Sequence, residues 1–592
     1  MGLQLWMPLT KDLRQQGLSG ITPTQTTGYT SVAAGKLGGC YKFTGTFDTL
    51  LPLSNWNWTE GSVSFGCWAK ISQSELATLV NAASYDATYN SMGGTLLGRD
   101  SYGGLGLRWK TNNIYSSSTL SAVYIYVHMR NTSSSANYTS NYTIPFDTWF
   151  HVMSIIDRNE NKIKVYINGE LFTSTNLTVT GSFNTGTFRI AEATWDGGNG
   201  RSSAGCWQLN DVRVYNHALS QMEVKELAKG LVLHYPLSNI ASEGTTNLIT
   251  SITAGGQTSV SNGVITTSGT NADTYFTLNL SESITSGTQY TISCYAEIPS
   301  GASWNFPLGT QSNSSLPFVI YNGYNEYTFI ANDISWGTNR CFMDDGNGAT
   351  NTARSLGVTT KMWNFQLEKK DHATPFVGYG VTKAADTTEY DCSGFCNNGT
   401  RTGTFTWISD TPKYAVSTQF GSTSTKIQLP VMDFSGMANS YTFAWWQYNV
   451  STGNMPWGFS NGNRLNCYHT SPLCWNTGDG SSNQFKNGST TIAPASVQNA
   501  WHHMVITGDG TSTKLYIDGV YRGTATTYKA LTGTQIWISG WDSGTSYTFN
   551  GSKECDFRIY ATAISAEDVK SLYQNSAYID SSGNIYGTIH EV

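Results

Sequence analysis

The chain has 592 residues, too many for one hydrophobic core, so three or four domains of ordinary size are expected. Charged residues make up 12%, about half the usual share, against 39% hydrophobic and 13% aromatic, so Ser, Thr, Asn and Gly must form most of the surface. The net charge of −6 without any local Lys or Arg block speaks against nucleic-acid binding, and no run approaches the ~18 apolar residues of a membrane span. Sixty glycines against fourteen prolines, with Val, Ile, Thr, Tyr and Trp in short runs between polar turns, predict an all-β chain.

In chain order, "GLQLWMPLT" (2–10) reads as a strand, and the first sixteen residues lack the basic and apolar regions of a secretory signal, which predicts synthesis in the cytosol. A polar turn, "KDLRQQGLSG" (11–20), is followed by the alternating runs "GKLGGCYKFTGTFDTLLPL" (35–53) and "GSVSFGCWAKI" (61–71). "DTWFHVMSIIDRNENKIKVYINGELFTS" (147–174) reads as two hairpins, the second turning on Asn168-Gly169. A strand then runs into a short helix at "NDVRVYNHALSQMEVKEL" (210–227), where Ser220 caps with Glu223 and Leu219 staples to Val224.

At residue 230 the sequence begins again. "GLVLHYPLS" (230–238) repeats the skeleton of 2–10, yet its continuation is delayed until "DCSGFCNNGT" (391–400) and "PKYAVSTQFGSTSTKIQLP" (412–430). From there "NAWHHMVITGDGTSTKLYIDGVYRGT" (499–524) pairs Trp501, His503, Tyr516 and Gly519 with Trp149, His151, Tyr166 and Gly169, and "CDFRIYATAISAEDVKSL" (555–572) pairs with 210–227. The simplest reading is a complete domain inserted after a strand that belongs to the last one, because exposed loops tolerate such insertions. The expected division is 1–229, then 230–238 plus 388–575, with 239–387 inserted between and a tail at 576–592.

The paired elements resemble the concanavalin A-like lectin and glucanase superfamily, specifically laminin-G-like units common in bacterial and phage proteins. The resemblance implies two antiparallel jelly-roll β-sandwiches. The insert, closing on "QLEKKDHATPF" (366–376), resembles a third jelly roll of the carbohydrate-binding-module type, and that closing motif and the tail are similar to segments of phage tail and virion proteins. The expected fold is thus all-β, with three antiparallel jelly-roll sandwiches.

Glucanases of this superfamily place closely spaced carboxylates on one strand, because a pair must flank the scissile bond. No such cluster occurs here; Glu223 and Asp568 fall on the closing helices as capping groups. His151, His502 and His503 have no Ser or Cys in nucleophile context, so no catalytic residue is assigned and the chain is expected not to be an enzyme.

Sugar binding has better candidates. Trp195-Asp196 and Trp541-Asp542 stand in equivalent glycine-rich loops, where a flat ring beside a carboxylate suits stacking and hydroxyl recognition; the same pairs also fit a sandwich rim with an Asp-stabilised turn. Trp304 and Trp336 of the insert could form a stacking platform, although core packing fits most of the nineteen tryptophans. Calcium at Asp100 lacks a full ligand set, and Cys392 and Cys396 lack a second pair for zinc, so neither metal nor cofactor is expected. The remaining cysteines are expected to be buried thiols.

The expectation is a non-enzymatic bacteriophage virion protein, a fibre, appendage or decoration on the particle surface. Its partners would be other virion proteins, host-surface glycans and further copies of itself, without nucleic acid or membrane insertion. A purely structural assembly protein and a polysaccharide depolymerase are the alternatives.

Overall fold

A computed structural model describes residues 3–10, 29–43, 50–51, 61–82, 93–99, 105–111, 120–131, 134–181, 188–192, 206–238, 243–267, 274–306, 308–310, 313–316, 318–331, 340–344, 352–357, 359–414, 416–459, 466–470, 472–476, 483–541, 547–574, 578–579 and 585–586. The described chain is predominantly antiparallel β, with jelly-roll sheets. Among these residues no helix is long and apolar enough to cross a membrane.

In the N-terminal part an eight-stranded and a six-stranded sheet enclose a core that includes Phe65, Trp109, Val152 and Leu209. Its central strand, Val63–Ile71, pairs with Phe150–Asp157 on one side and Trp207–Tyr215 on the other. The C-terminal part repeats this: Tyr441–Tyr448 lies between Trp501–Gly508 and Lys553–Tyr560 in a ten-stranded sheet, backed by a seven-stranded one.

The strand Leu3–Met7 pairs with Trp207–Tyr215, placing Leu3 opposite Tyr215 and, after a shift of register, Leu5 opposite Val214. Leu231–Tyr235 pairs with Lys553–Tyr560 in the same way, with Leu231 opposite Tyr560 and Leu233 opposite Ile559 across the same irregularity. The two leading strands thus share register and bulge as well as sequence.

Local chemistry explains the hairpins and helix ends. Asn168 and Gly169 (φ 50° and 84°) and Asp518 and Gly519 (φ 53° and 74°) both supply the positive φ pair that a two-residue hairpin turn demands. The helix Gln221–Lys229 opens on a capping box, in which the Ser220 amide donates to Glu223 at 2.7 Å and the Glu223 amide to Ser220 Oγ at 3.3 Å. Gly230 closes it in the left-handed region at φ 64°. Ser565 and Asp568 exchange the equivalent bonds at the start of Ala566–Gln574.

Between residues 245 and 383 lie two five-stranded sheets packed around Leu278, Ile292, Phe306 and Phe365. The first and last strands of this region, Thr245–Thr246 and Thr382–Lys383, pair with each other, so the chain leaves close to where it came in. The closing motif acts as a clasp. Gln366 donates to the Thr374 carbonyl at 2.9 Å, Glu368 accepts from the Thr374 amide at 2.9 Å, and His372 bridges Glu243 and Asp371 at 2.6 Å each. Those two carboxylates outweigh burial and lift the His372 imidazole to about 9.

The two repeated parts touch. The Trp6 and Phe395 rings meet edge to face at 5.8 Å, Leu37 and Trp68 join the C-terminal core, and Lys229 bridges Glu226 and Asp568. Cys40, Cys67, Cys206, Cys294, Cys467, Cys474 and Cys555 are buried free thiols, whereas Cys392 and Cys396 are exposed and free.

Candidate functional site

The repeated histidines belong to the framework. The His151 amide donates to Asn168 Oδ1 at 2.9 Å and the His503 amide to Asp518 Oδ1 at 2.9 Å, so each histidine backbone fastens the hairpin turn opposite it. Both imidazoles are buried, packed on Trp68 and Trp446, and burial pushes each down to about 3. Neutral rings sealed from solvent cannot reach a substrate.

The repeated Asp-x-Arg-x-Tyr strands hold buried ion clusters. Asp211 accepts from Trp6 Nε1 at 2.7 Å and from Arg213 at 2.8 Å. Its counterpart Asp556 accepts from Arg558 at 2.8 Å, Lys413 at 2.6 Å and Tyr414 at 2.8 Å, and contacts His234 at 2.9 Å. Burial alone would raise the Asp556 carboxyl, but the adjacent Arg558 and Lys413 hold it well below the usual carboxylate range. These clusters lock the leading strand to the last one.

Trp541 stands at an accessible loop end. Strand Ile536–Ile538 pairs with Trp457–Phe459, and then Ser539 (φ 72°) and Gly540 (φ 103°) turn the chain outward. The Gly540 amide donates to the Met455 carbonyl at 2.9 Å, the Met455 amide to Tyr547 O at 2.8 Å, and the Phe549 amide to Ser539 Oγ at 3.0 Å. This frame leaves Trp541 half-buried and Tyr547 48% exposed, with the Tyr547 ring edge-on to Tyr468 at 5.2 Å.

A polar network lies beneath this end. Asn454 donates to Asn449 Oδ1 at 2.9 Å, Asn449 to His469, and Trp445 Nε1 to Gln447 at 2.8 Å. His469 follows Tyr468 and Asn454 precedes Met455, so the network fixes the backbone that presents the rings. The result is a rigid set of apolar faces and phenolic hydroxyls, suited to a ligand that is apolar on one face and hydroxylated at its edge.

The other candidates fare differently. Asp542, the equivalent pair Trp195 and Asp196, Trp336 and Asp100 lie outside the described residues. Trp304 is not a stacking platform: it is 0% exposed, lies against Phe306 at 5.3 Å and donates its indole N–H to Thr360 at 2.7 Å. Pairing with Ile320 turns it into the core, and the hydrogen bond satisfies the one polar atom that burial strands. Among the described residues no group of three or more His, Cys, Asp or Glu could hold a metal. Sequence reasoning missed Tyr468 and Tyr547; the Tyr547-Thr548 end of the same glycine-rich loop was the available signal.

Paired antiparallel jelly-roll sheets define a β-sandwich protein, and the C-terminal one carries rings at a loop end. A family model of the concanavalin A-like lectin/glucanases superfamily matches residues 44–225 and 420–570, more than half of the chain. The chain belongs to that superfamily. No curated protein sequence matches it. Similar solved structures include domain 4 of AbnA, a GH43 extracellular arabinanase from Geobacillus stearothermophilus, in complex with arabinotriose (18% identity, 31% of this chain and 92% of that one, TM-score 0.25). Others are the binding domain of Paraclostridial Mosquitocidal Protein 1 (9%, 91% and 92%, 0.30) and the receptor binding domain of botulinum neurotoxin D (12%, 92% and 98%, 0.29).

Proposed function

We propose that this protein is a non-enzymatic adhesin of a bacteriophage particle, a fibre, appendage or decoration whose lectin-like sandwiches hold host-surface glycans. Superfamily membership supports the glycan part, and the observation that carries it is the backbone frame through Met455 that ties Gly540, next to Trp541, to Tyr547, whose ring meets Tyr468 edge-on. The particle part rests on the resemblance of residues 366–376 and of the tail to virion proteins. In this reading the chain comprises sandwiches at 1–229 and at 230–238 plus 388–575, an inserted carbohydrate-binding jelly roll at 239–387 and a tail at 576–592. It is made in the host cytoplasm, carried as a homo-oligomer on the particle surface, and joined there to other virion proteins. Weak sugar sites gain force when multiplied on one particle, because tethering raises effective concentration.

A non-catalytic role is supported by the burial of His151 and His503 and of the acid Glu554, which leaves these titratable groups out of reach of a polysaccharide. A glycan array probed with the full-length protein tests the reading. Trp541→Ala is expected to lower affinity about tenfold, and a wild-type protein that holds no saccharide at millimolar concentration would remove the adhesive role.

One observation favours the assembly alternative. Leu171 and Phe172 stand exposed on Glu170–Asn176, which ends its sheet among the described strands and offers a hydrophobic edge to a neighbouring subunit. Particles that fail to incorporate a Leu171→Lys variant, yet bind host cells through a Trp541→Ala variant as well as through wild type, would select that reading.

A further inference from the structure

A second set of rings lies on the region between residues 245 and 383. Three neighbouring strands, Gly323–Ile330, Gln289–Glu297 and Thr360–Glu368, place Tyr324, Tyr295 and Trp363 directly opposite one another in a row across the sheet. The Tyr295 ring is 5.2 Å from Tyr324 and 6.2 Å from Trp363, nearly parallel to the latter at 15°. Tyr295 is 42% and Tyr324 51% exposed, and Trp363 is half-buried.

What covers the rest of this face makes the exposure informative. The clasp at residues 370–377 crosses it and hides Gln366 and Glu368, with the Val377 amide donating to Gln366 at 3.0 Å and the Ala373 amide to Glu326 at 2.9 Å. At the opposite end Lys361 pairs with Glu297 at 3.3 Å. The chain therefore covers polar side chains and leaves three large rings open, the reverse of what burial favours. The three rings stand on the sheet face between the clasp and the ion pair, with Tyr324 tilted 57° from Tyr295.

The rim specifies the ligand. Tyr324 Oη donates to Glu326 Oε2 at 3.2 Å, and the exposed carboxylates of Glu326 and Glu297 accept hydrogen bonds from hydroxyls. Two carboxylates against one lysine disfavour an anionic ligand. Strands ~4.8 Å apart set the rings at a spacing comparable with one hexose, so successive rings meet successive sugars of an extended chain. We infer that this face forms a shallow trough that binds a neutral, extended glycan strand, stacking its sugar faces on Tyr324, Tyr295 and Trp363. The inference deepens the glycan reading above by naming a substrate class, and it stands apart from the Trp541 loop.

Affinity electrophoresis of the full-length protein tests it, with hydroxyethyl cellulose and laminarin as neutral extended polymers, carboxymethyl cellulose as the anionic counterpart and glycogen as a branched one. The neutral extended polymers should retard the wild type most. Tyr324→Ala and Trp363→Ala should each weaken retardation about tenfold, and Met222→Ala, on the exposed side of the helix Gln221–Lys229, should leave it unchanged. Tyr324 is exposed, so its variant reads binding even where Trp363→Ala disturbs the sheet. Equal retardation of Tyr324→Ala and wild type, with loss in Trp541→Ala, overturns the trough and leaves the glycan reading standing. Retardation by neither neutral polymer also overturns it. If, in addition, sedimentation shows self-association that Tyr324→Ala abolishes, the trough is a contact between copies.

Discussion

The two repeated sandwiches have the same frame and opposite interiors at one end. In the first, Ala69, Ile71 and Leu209 close the space between the sheets with apolar side chains. In the second, the same register holds Gln447, Asn449 and Glu554, joined by Asn454 and His469, all buried. Glu554 thus occupies the place of a core leucine, with neither carboxyl oxygen hydrogen-bonded, and burial holds its pKa well above the ordinary carboxylate value. A strand frame therefore tolerates either filling, because backbone pairing and the shared ion cluster set the architecture. The polar filling sits under the loops that carry Tyr468 and Tyr547, where it fixes their backbone at the expense of stability.

The comparison breaks most sharply at the ion clusters. Asp556 holds two cations, Lys413 and Arg558, whereas among the described residues Asp211 pairs with the single cation Arg213, and the equivalent Lys36 lies over Trp68 at 5.2 Å. Asp556→Ala should cost about 3–5 kcal/mol, and more than Asp211→Ala, in urea denaturation of the full chain. Equal losses would show that the extra cation adds nothing.

Exchanging the core residues comes next. Glu554→Leu should stabilise the protein by about 1–3 kcal/mol at neutral pH, while Leu209→Glu should destabilise it. The pH dependence has a fixed sign. With a folded pKa above the unfolded value, Glu554 favours folding in acid, and its contribution is lost as pH rises above the unfolded pKa near 4.3. Glu554→Gln should flatten that part of the stability profile; an unchanged profile would mean that the carboxyl is paired. His372 works in the same direction at higher pH. Its pKa near 9 makes the clasp most secure below the unfolded value near 6.5, with that support lost as pH rises through about 9. His372→Gln should remove this alkaline loss in thermal melts followed from pH 7 to 10.

The smallest effect sharpens the likeness instead. Ser220→Ala and Ser565→Ala each remove one capping oxygen and should each cost about 1 kcal/mol. A clear difference between them would show that the two closing helices bear unequal loads.

Much of the fold was legible because its determinants are local. Asn168-Gly169 and Asp518-Gly519 announce their turns through φ preference, Ser220 and Ser565 their caps through reach, and the shared skeleton of 2–10 and 230–238 its strand through alternation. The candidate site was legible only at Trp541. Tyr468 ends the strand Asn466–Tyr468 and Tyr547 lies in a distant loop, while Tyr295, Tyr324 and Trp363 come from three strands, so no window of sequence contains either group.

The sequence by itself determined the repeated β-frame, its hairpins and its helix ends, since turn chemistry and two-residue periodicity act over a few neighbouring residues. Only the tertiary structure decided which rings meet solvent, burying Trp304 while the clasp leaves Tyr295 and Tyr324 open, and sealing Glu554 in the interior with neither oxygen hydrogen-bonded. Exposure depends on what another part of the chain lays across a face, and that partner is set by packing between segments distant in sequence.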